Sequence, residues 1–172
     1  MRTQASIDGL VQMILYIKGF CKPENMTLIE IGAFSGQATE QFCKYFNRVI
    51  IIEPWENNIG DITNKCNMED VKKEFYKRCG HFDNLSVYKD FSGNIAHKFG
   101  SQSVDIVYID GLHTYEAVRE DIKNYFGKIK LSGFISGHDY SVKFPGVKKA
   151  VHELIGKPDK LFKDSSWIKR VA

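Results

Sequence analysis

The sequence is short of the features that mark several protein classes. Its four cysteines, Cys21, Cys43, Cys66 and Cys79, form no C-x-x-C pair and no zinc spacing, so they read as reduced thiols of a cytosolic protein. No long apolar run is present. Leu10 to Phe20 comes nearest, but Gln12 and Lys18 interrupt it, and it is too short and too polar to span a membrane. It lacks a basic leader and a cleavage site, so it is not read as a signal peptide, and a cytoplasmic location is expected. The chain shows no internal repeat, no low-complexity stretch and no linker. Charge of one sign is also scarce. A net charge of +3 is too small to argue for nucleic acid. Lys148, Lys149, Lys157, Lys160, Lys163, Lys169 and Arg170 do gather near the C-terminus, where they read as a solvated face. A length of 172 residues suits one domain, 1–172, with a leading helix within residues 1–21.

The stretch around which the rest is organised is Thr27 to Glu40. Thr27 to Ile31 is largely apolar and β-branched, as a buried parallel strand would be. Gly32 permits a sharp turn or a close ligand because it has no Cβ. Ser35 is placed to cap the following helix, and Gly36 keeps its first turn open. Ala38, Phe42, Tyr45 and Phe46 recur at helical spacing, so that face packs on a sheet. Unsatisfied N–H groups at the helix start suit a polar or anionic ligand. The next strand, Arg48 to Glu53, ends in an acidic residue about 20 positions beyond the glycine turn, where a carboxylate can hold ribose hydroxyls.

The remaining chain alternates strands and helices. Ile7 to Phe20 is an amphipathic helix with Leu10, Met13, Ile14, Ile17 and Phe20 on one side. Pro54 to Gly60 is a loop whose Trp55 either covers a ligand ring or is a half-buried surface aromatic. Met68 to Cys79 reads as a helix, Leu85 to Lys89 as a strand, and Gly93 to Phe99 as a helix capped by Ser92. Ser103 to Ile109 is a fourth strand, followed by a helix capped by Thr114 that buries Tyr115, Val118, Ile122, Tyr125 and Phe126. Leu131 to His138 is a fifth strand, broken by Gly133 and Gly137. A helix over Val147 to Leu154 and two short strands, Lys160 to Phe162 and Trp167 to Val171, complete the chain. This alternation predicts a parallel sheet with helices on both faces. Asp90 and Phe91, Asp110 to His113, and His138 to Tyr140 all fall at C-terminal strand ends, where ligands gather in such sheets.

Glu30-Ile31-Gly32-Ala33-Phe34-Ser35-Gly36 resembles the first motif of class I S-adenosylmethionine-dependent methyltransferases, E/D-x-G-x-G-x-G, with Phe34 where the middle glycine often stands. Asp110-Gly111-Leu112-His113-Thr114-Tyr115-Glu116 and Gly137-His138-Asp139-Tyr140 resemble the I-D-G-x-H-x-Y-E and G-H-D-Y segments of a branch often linked to sugar and secondary-metabolite hydroxyls. The resemblance implies a Rossmann-like α/β fold, a seven-stranded mostly parallel sheet with a C-terminal antiparallel strand pair. It implies S-adenosylmethionine as cofactor, held by Glu30, Gly32, Ala33, Phe34, Ser35, Gly36, Glu53, Trp55, Asp90, Phe91, Asp110 and His113. In that comparison Asp90 accepts from the adenine amino group and Phe91 lies beside the ring. The leading helix lies over the cofactor site in the family, although it could equally cover a sheet edge.

Methyl transfer from a sulfonium needs an aligned and activated nucleophile. Asp110, His113, His138 and Asp139 are the candidates for that work, with a small-molecule hydroxyl as acceptor. Either His113 or His138 takes the proton as general base, or Asp110 and Asp139 hold magnesium or another divalent cation that lowers the hydroxyl pKa. A hard ion gains less from His138 beside Asp139. No Asn/Asp-Pro-Pro-Tyr/Phe segment follows the fourth strand, so RNA or protein methylation is the weaker expectation, and neither a nucleic-acid nor a membrane partner is expected. The open site leaves room for completion by a partner subunit, a homodimer included. A nicotinamide-dependent oxidoreductase and a non-catalytic or partner-dependent cofactor-binding module stand as alternatives.

Overall fold

The computed structural model describes residues 4–56 and 66–172. Asn57 to Gly60 of the expected loop, and residues 1–3 of the leading segment, lie outside the described residues. In chain order the elements are α1 (Gln4–Lys18), β1 (Thr27–Ile31), α2 (Gln37–Tyr45), β2 (Arg48–Ile52), α3 (Met68–Cys79), β3 (Leu85–Tyr88), α4 (Ser92–Ile95), β4 (Val104–Ile109), α5 (Tyr115–Tyr125), β5 (Ile129–Gly137), α6 (Pro145–Ile155), β6 (Lys160–Leu161) and β7 (Trp167–Arg170). Seven strands form one sheet in the order β3-β2-β1-β4-β5-β7-β6. The first five run parallel, and β7 pairs antiparallel with both β5 and β6. This is the Rossmann-like sheet with a closing antiparallel pair that the sequence implied.

Period-two alternation explains how one short strand serves two cores. Leu28 of β1 packs with α1, α2 and α3 through Leu10, Ile14, Phe42 and Phe75. Ile29 and Ile31, pointing the other way, pack with α5 and α6 through Val118, Ile122, Val147 and Val151. The central strands are therefore buried on both faces, as their near-continuous apolar sequences require. Gly133 falls within the register shift between β4 and β5, where the pairing jumps from Ile129 to Phe134, and Gly137 pairs with Ile109 and Trp167 at the end of the ladder. The strand runs on through both glycines, so the expected breaks reduce to an irregularity in pairing at Gly133.

Two further expectations need correction. Ser35 does not cap α2; the N-cap is Gly36, held left-handed at φ 80°. Nor does Ser92 cap the next helix, which begins at Ser92 with Phe91 as its N-cap. The leading helix buries Leu10, Met13, Ile14 and Ile17 in the core beside α2, with Phe162 and Ile168 in the same cluster. Phe20 falls beyond its end and is half exposed. No described side chain of α1 lines the ligand cavity, so α1 covers the sheet rather than the site.

What positions the site is the divergence at the centre of the sheet. From β1 the chain goes to β2 on one side, and the later β4 lies on the other. The strand ends stay paired, and the loops that leave them run in opposite directions and leave a crevice, the place where open α/β sheets take ligands.

Candidate active site

The crevice wall begins with Gly32, at φ 88°. Its N–H donates to the Ile52 carbonyl (3.0 Å), and Asp110 N–H donates to the Ile31 carbonyl (2.8 Å). The turn is thereby drawn tight against the end of β4. A Cβ on Gly32 would stand 2.3 Å from the Asp110 carbonyl oxygen, so only glycine fits. Phe34 follows in a left-handed conformation, φ 47°, uncommon and strained for a bulky side chain.

Glu53 holds that strained turn in place. Its Oε2 accepts from Phe34 N–H (2.9 Å) and its Oε1 from Trp55 N–H (2.8 Å). Trp55 in turn donates from Nε1 to the Phe34 carbonyl (2.9 Å). The indole is buried, with its ring edge-on to Phe75 (5.0 Å between centroids). Trp55 thus braces the turn from behind and does not line the cavity, which corrects the expectation that it covers a ligand ring. Two groups that sequence reasoning missed complete the support. Arg78 Nε donates to the Ser35 carbonyl (3.2 Å), and Cys79 Sγ donates to the Gly36 carbonyl (3.3 Å). Burial pushes the Cys79 thiol up to about 12, so it is a packed, inert donor. All four cysteines are free.

Glu30 is fully buried, and its Oε2 accepts from the Thr39 hydroxyl (2.6 Å). It ties β1 to α2 beneath the turn while lining the cavity.

At the end of β3 the structure assigns Asp90 a local task. Its Oδ1 accepts from the Asn94 side chain and from Phe91 N–H, each at 2.8 Å. The Asn94 bond, then the Phe91 bond, holds its carboxyl below the usual range. Asp90 does not line the cavity, whereas Phe91, Ser92, Gly93 and Asn94 do. Ser92 is clamped from α5. Its hydroxyl donates to Asp121 Oδ1 (2.5 Å), and its carbonyl accepts from Tyr125 (2.8 Å). Asp121 is 5% exposed and lines the cavity. Burial pushes its carboxyl up to about 7, with Glu120 adding to this and the Ser92 bond opposing it. Its signal was present in the sequence: an acid within the apolar stripe Val118, Ile122 and Tyr125.

The ends of β4 and β5 bring Asp110, His113, His138 and Asp139 together. His113 Nε2 lies 2.8 Å from Asp139 Oδ2 and 3.9 Å from Asp110 Oδ1. His138 Nδ1 lies 3.2 Å from the same Asp139 oxygen and 3.7 Å from Asp110. Asp139 reaches this position from a left-handed backbone, φ 59°. Burial alone would lower the His113 pKa, but hydrogen bonds and charge from Asp110 and Asp139 raise it to about 10. Burial likewise opposes ionisation of Asp139, and the two imidazoles win, holding it well below the carboxylate range. The His113 ring packs on Phe144 at 4.8 Å between centroids. One donor atom from each of Asp110, His113 and Asp139 lies within 4.8 Å of the others, a group that adds His113 to the two acids expected to hold a cation.

These features share one cavity of about 590 Å³. Of the expected site residues, Glu30, Gly32, Ala33, Phe34, Ser35, Glu53, Phe91, Asp110, His113, His138 and Asp139 line it; Gly36, Trp55 and Asp90 stand behind it. Among the described residues no helix is long and apolar enough to cross a membrane.

Known proteins share this architecture. An uncharacterised protein of Acanthamoeba polyphaga mimivirus, R132, is 26% identical over 141 residues, which cover 77% of this chain and 60% of that protein. The chain therefore spans about three fifths of that relative's length. The solved structure of the TDP-rhamnose 3'-O-methyltransferase CalS11, from calicheamicin biosynthesis, matches with a TM-score of 0.63 at 14% identity, over 96% of this chain and 77% of that one. The N-methyltransferase NodS of Bradyrhizobium japonicum matches with a TM-score of 0.64 at 13% identity, over 96% and 93%. At such identities the structures share the fold alone, and O- and N-methyltransferases share it equally. A family model described as a methyltransferase domain matches residues 29–140, a span running from β1 through the cradle and the paired acids and imidazoles to Tyr140, and the chain belongs to that family.

Proposed function

We propose that this chain transfers a methyl group from S-adenosylmethionine to a hydroxyl of a small molecule such as a sugar or a secondary metabolite. The observation that carries the reading is the His113–Asp139 pair, 2.8 Å apart, in the same cavity as the glycine turn and Glu53. When bound, S-adenosylmethionine supplies an activated methyl group with a neutral thioether as leaving group. Glu53 suits its ribose, because a carboxylate accepts hydroxyl donors and this one is fixed at the cavity wall by the Phe34 and Trp55 N–H groups. Phe91 offers an aromatic wall for the adenine, and Gly32 allows close backbone approach.

The acceptor hydroxyl must lose its proton as the new bond forms. His113 is the group for this task. Asp139 orients the imidazole through Nε2 and stabilises the imidazolium that results, the arrangement of an acid-oriented general base. The same pairing keeps His113 protonated near neutrality, so turnover by this route rises with pH.

A divalent cation is the second reading, favoured by the three donor atoms of Asp110, His113 and Asp139. Held there, it would lower the hydroxyl pKa as a Lewis acid. Two carboxylates and one imidazole suit manganese or zinc as well as magnesium.

The test is formation of S-adenosylhomocysteine in the presence of a panel of neutral sugars, phenols and small amines, with magnesium, with manganese and with chelator. Acceptor-dependent product supports methyl transfer, and the chelator arm separates the two routes. Methylation confined to amine acceptors would refute the hydroxyl assignment.

A further inference from the structure

The chain as a whole is basic, with 24 Lys and Arg against 21 Asp and Glu. Its cavity has the opposite sign. Seven carboxyl side chains line it, and among the described residues no lysine or arginine does. Glu30 lies beneath the turn, Glu53 and Glu56 follow β2, Glu120 and Asp121 belong to α5, and Asp110 and Asp139 close the reacting end. Both imidazoles of the cavity lie against these two acids, His113 on Asp139 and His138 on Asp139 and Asp110, and His113 is the one that they hold protonated. Lys148 Nζ stands over the Tyr140 ring at 5.6 Å and Lys149 Nζ over the Tyr115 ring at 4.4 Å, and neither lysine lines the cavity. The remaining wall beside the imidazoles is apolar, with Leu112 and Ile31.

Resting on the methyl-transfer reading above, we propose that the acceptor is a neutral or cationic hydroxyl compound with an apolar portion, and that phosphorylated, nucleotide-linked and carboxylate-rich acceptors are excluded. Phosphate recognition relies on arginine forks, lysines or helix N-termini. Here the first two are absent from the described wall; of the longer helices whose starts line it, α2 follows the cofactor turn and α5 carries Glu120 and Asp121 into the same cavity. A low-dielectric cleft lined by one sign of charge focuses its field. A phosphoryl group entering it meets like charge, which discriminates against a partner by about tenfold or more. A neutral sugar or phenol meets no such opposition, and an amino sugar gains.

The test does not require the acceptor to be known. The full chain, labelled at histidine and loaded with S-adenosylhomocysteine, is exposed at low salt to three nitroxides of one skeleton: 4-amino-, 4-hydroxy- and 4-carboxy-TEMPO. Paramagnetic relaxation at the His113 and His138 ring protons is expected to rank amino above hydroxy above carboxy, by about fivefold or more between the extremes. The ranking should collapse toward unity at about 0.5 M salt. Equal or reversed relaxation overturns the proposal. So does methylation of a sugar phosphate or nucleotide-linked sugar as efficiently as of the free sugar. If S-adenosylhomocysteine fails to load, the methyl-transfer reading falls and the acceptor class falls with it. The nitroxide ranking on the unloaded chain then still reports the cavity charge, so the two failures are told apart.

Discussion

Gly32→Ala offers the sharpest single perturbation. The added Cβ would stand 2.3 Å from the Asp110 carbonyl oxygen, 2.5 Å from its carbon and 2.6 Å from Gly111 N. All three are backbone atoms, so no side-chain rotation relieves the clash. Bringing the oxygen contact out to 3.0 Å, the shortest that real Cβ atoms show, parts β1 from β4 by about 0.7 Å at the end where Asp110 enters the site. The left-handed φ of 88° adds roughly 1–2 kcal/mol for any residue with a Cβ, and overpacking adds roughly 1–3 kcal/mol. The sum, about 2–5 kcal/mol, is a large part of a typical total of about 5–15 kcal/mol. Urea denaturation followed by far-UV circular dichroism measures the first effect. Calorimetric titration with S-adenosylhomocysteine, on whatever fraction stays folded, measures the second. The matched control is Gly127→Ala, whose Cβ meets nothing within 4 Å and should change stability by less than about 0.5 kcal/mol. A Gly32→Ala protein within about 1 kcal/mol of the parent, with unchanged ligand affinity, would refute the close-approach argument.

Three further outcomes are expected. Asp139→Asn removes the anionic partner of His113 without touching the Glu53 end. Affinity for S-adenosylhomocysteine should stay within about twofold while turnover falls by about 10²–10⁴; equal losses in both would contradict the division of labour. The pH dependence of stability follows from the same pair. His113 has its pKa raised to about 10, so its contribution is fully present below about 6.5, its unfolded value, and is lost as pH rises through about 10. Asp139 is depressed, so its contribution is present above about 3.9 and lost as pH falls below that. Comparing urea midpoints of the parent and His113→Gln across pH checks both limbs, and parallel curves would be the contrary result. Trp55→Phe keeps the packing on Phe75 but deletes the bond to the Phe34 carbonyl. It should cost about 1–2 kcal/mol and loosen cofactor binding, readable by thermal melts with and without S-adenosylhomocysteine.

Much of the fold was legible because the informative segments are strongly periodic or strongly apolar. Thr27–Ile31, Arg48–Ile52 and Val104–Ile109 are strands buried on both faces, and little else in a soluble chain produces such runs. Glu53, His113 and Asp139 were legible because strand ends at the centre of a parallel sheet meet at one crevice, whatever the loops between them do. Other assignments went astray where local chemistry competes. Ser35 and Ser92 have the composition of caps, but the left-handed Gly36 starts α2 itself, and Ser92 turns its hydroxyl to Asp121. Asp90 sits where a ligand contact was expected, and its turn uses Oδ1 twice instead. Trp55 could not be assigned from the sequence, because its place depends on Phe75 and Tyr76 of α3, about 20 residues away in the chain. Asp121 was passed over because the helix was read from its apolar positions Val118, Ile122 and Tyr125, and the acid lodged among them, which marks a buried polar site, was not weighed.

The central claim is that the crevice between β1 and β4 binds S-adenosylmethionine. Calorimetric titration of the chain with S-adenosylmethionine and S-adenosylhomocysteine, with NADH as control and each with and without magnesium, tests it most directly. Saturable one-to-one binding of both sulfur nucleosides and none of NADH is the predicted result. Binding of NADH instead, or of neither sulfur nucleoside, would contradict the account and remove the basis of the assignments made to Glu53, His113 and Asp139.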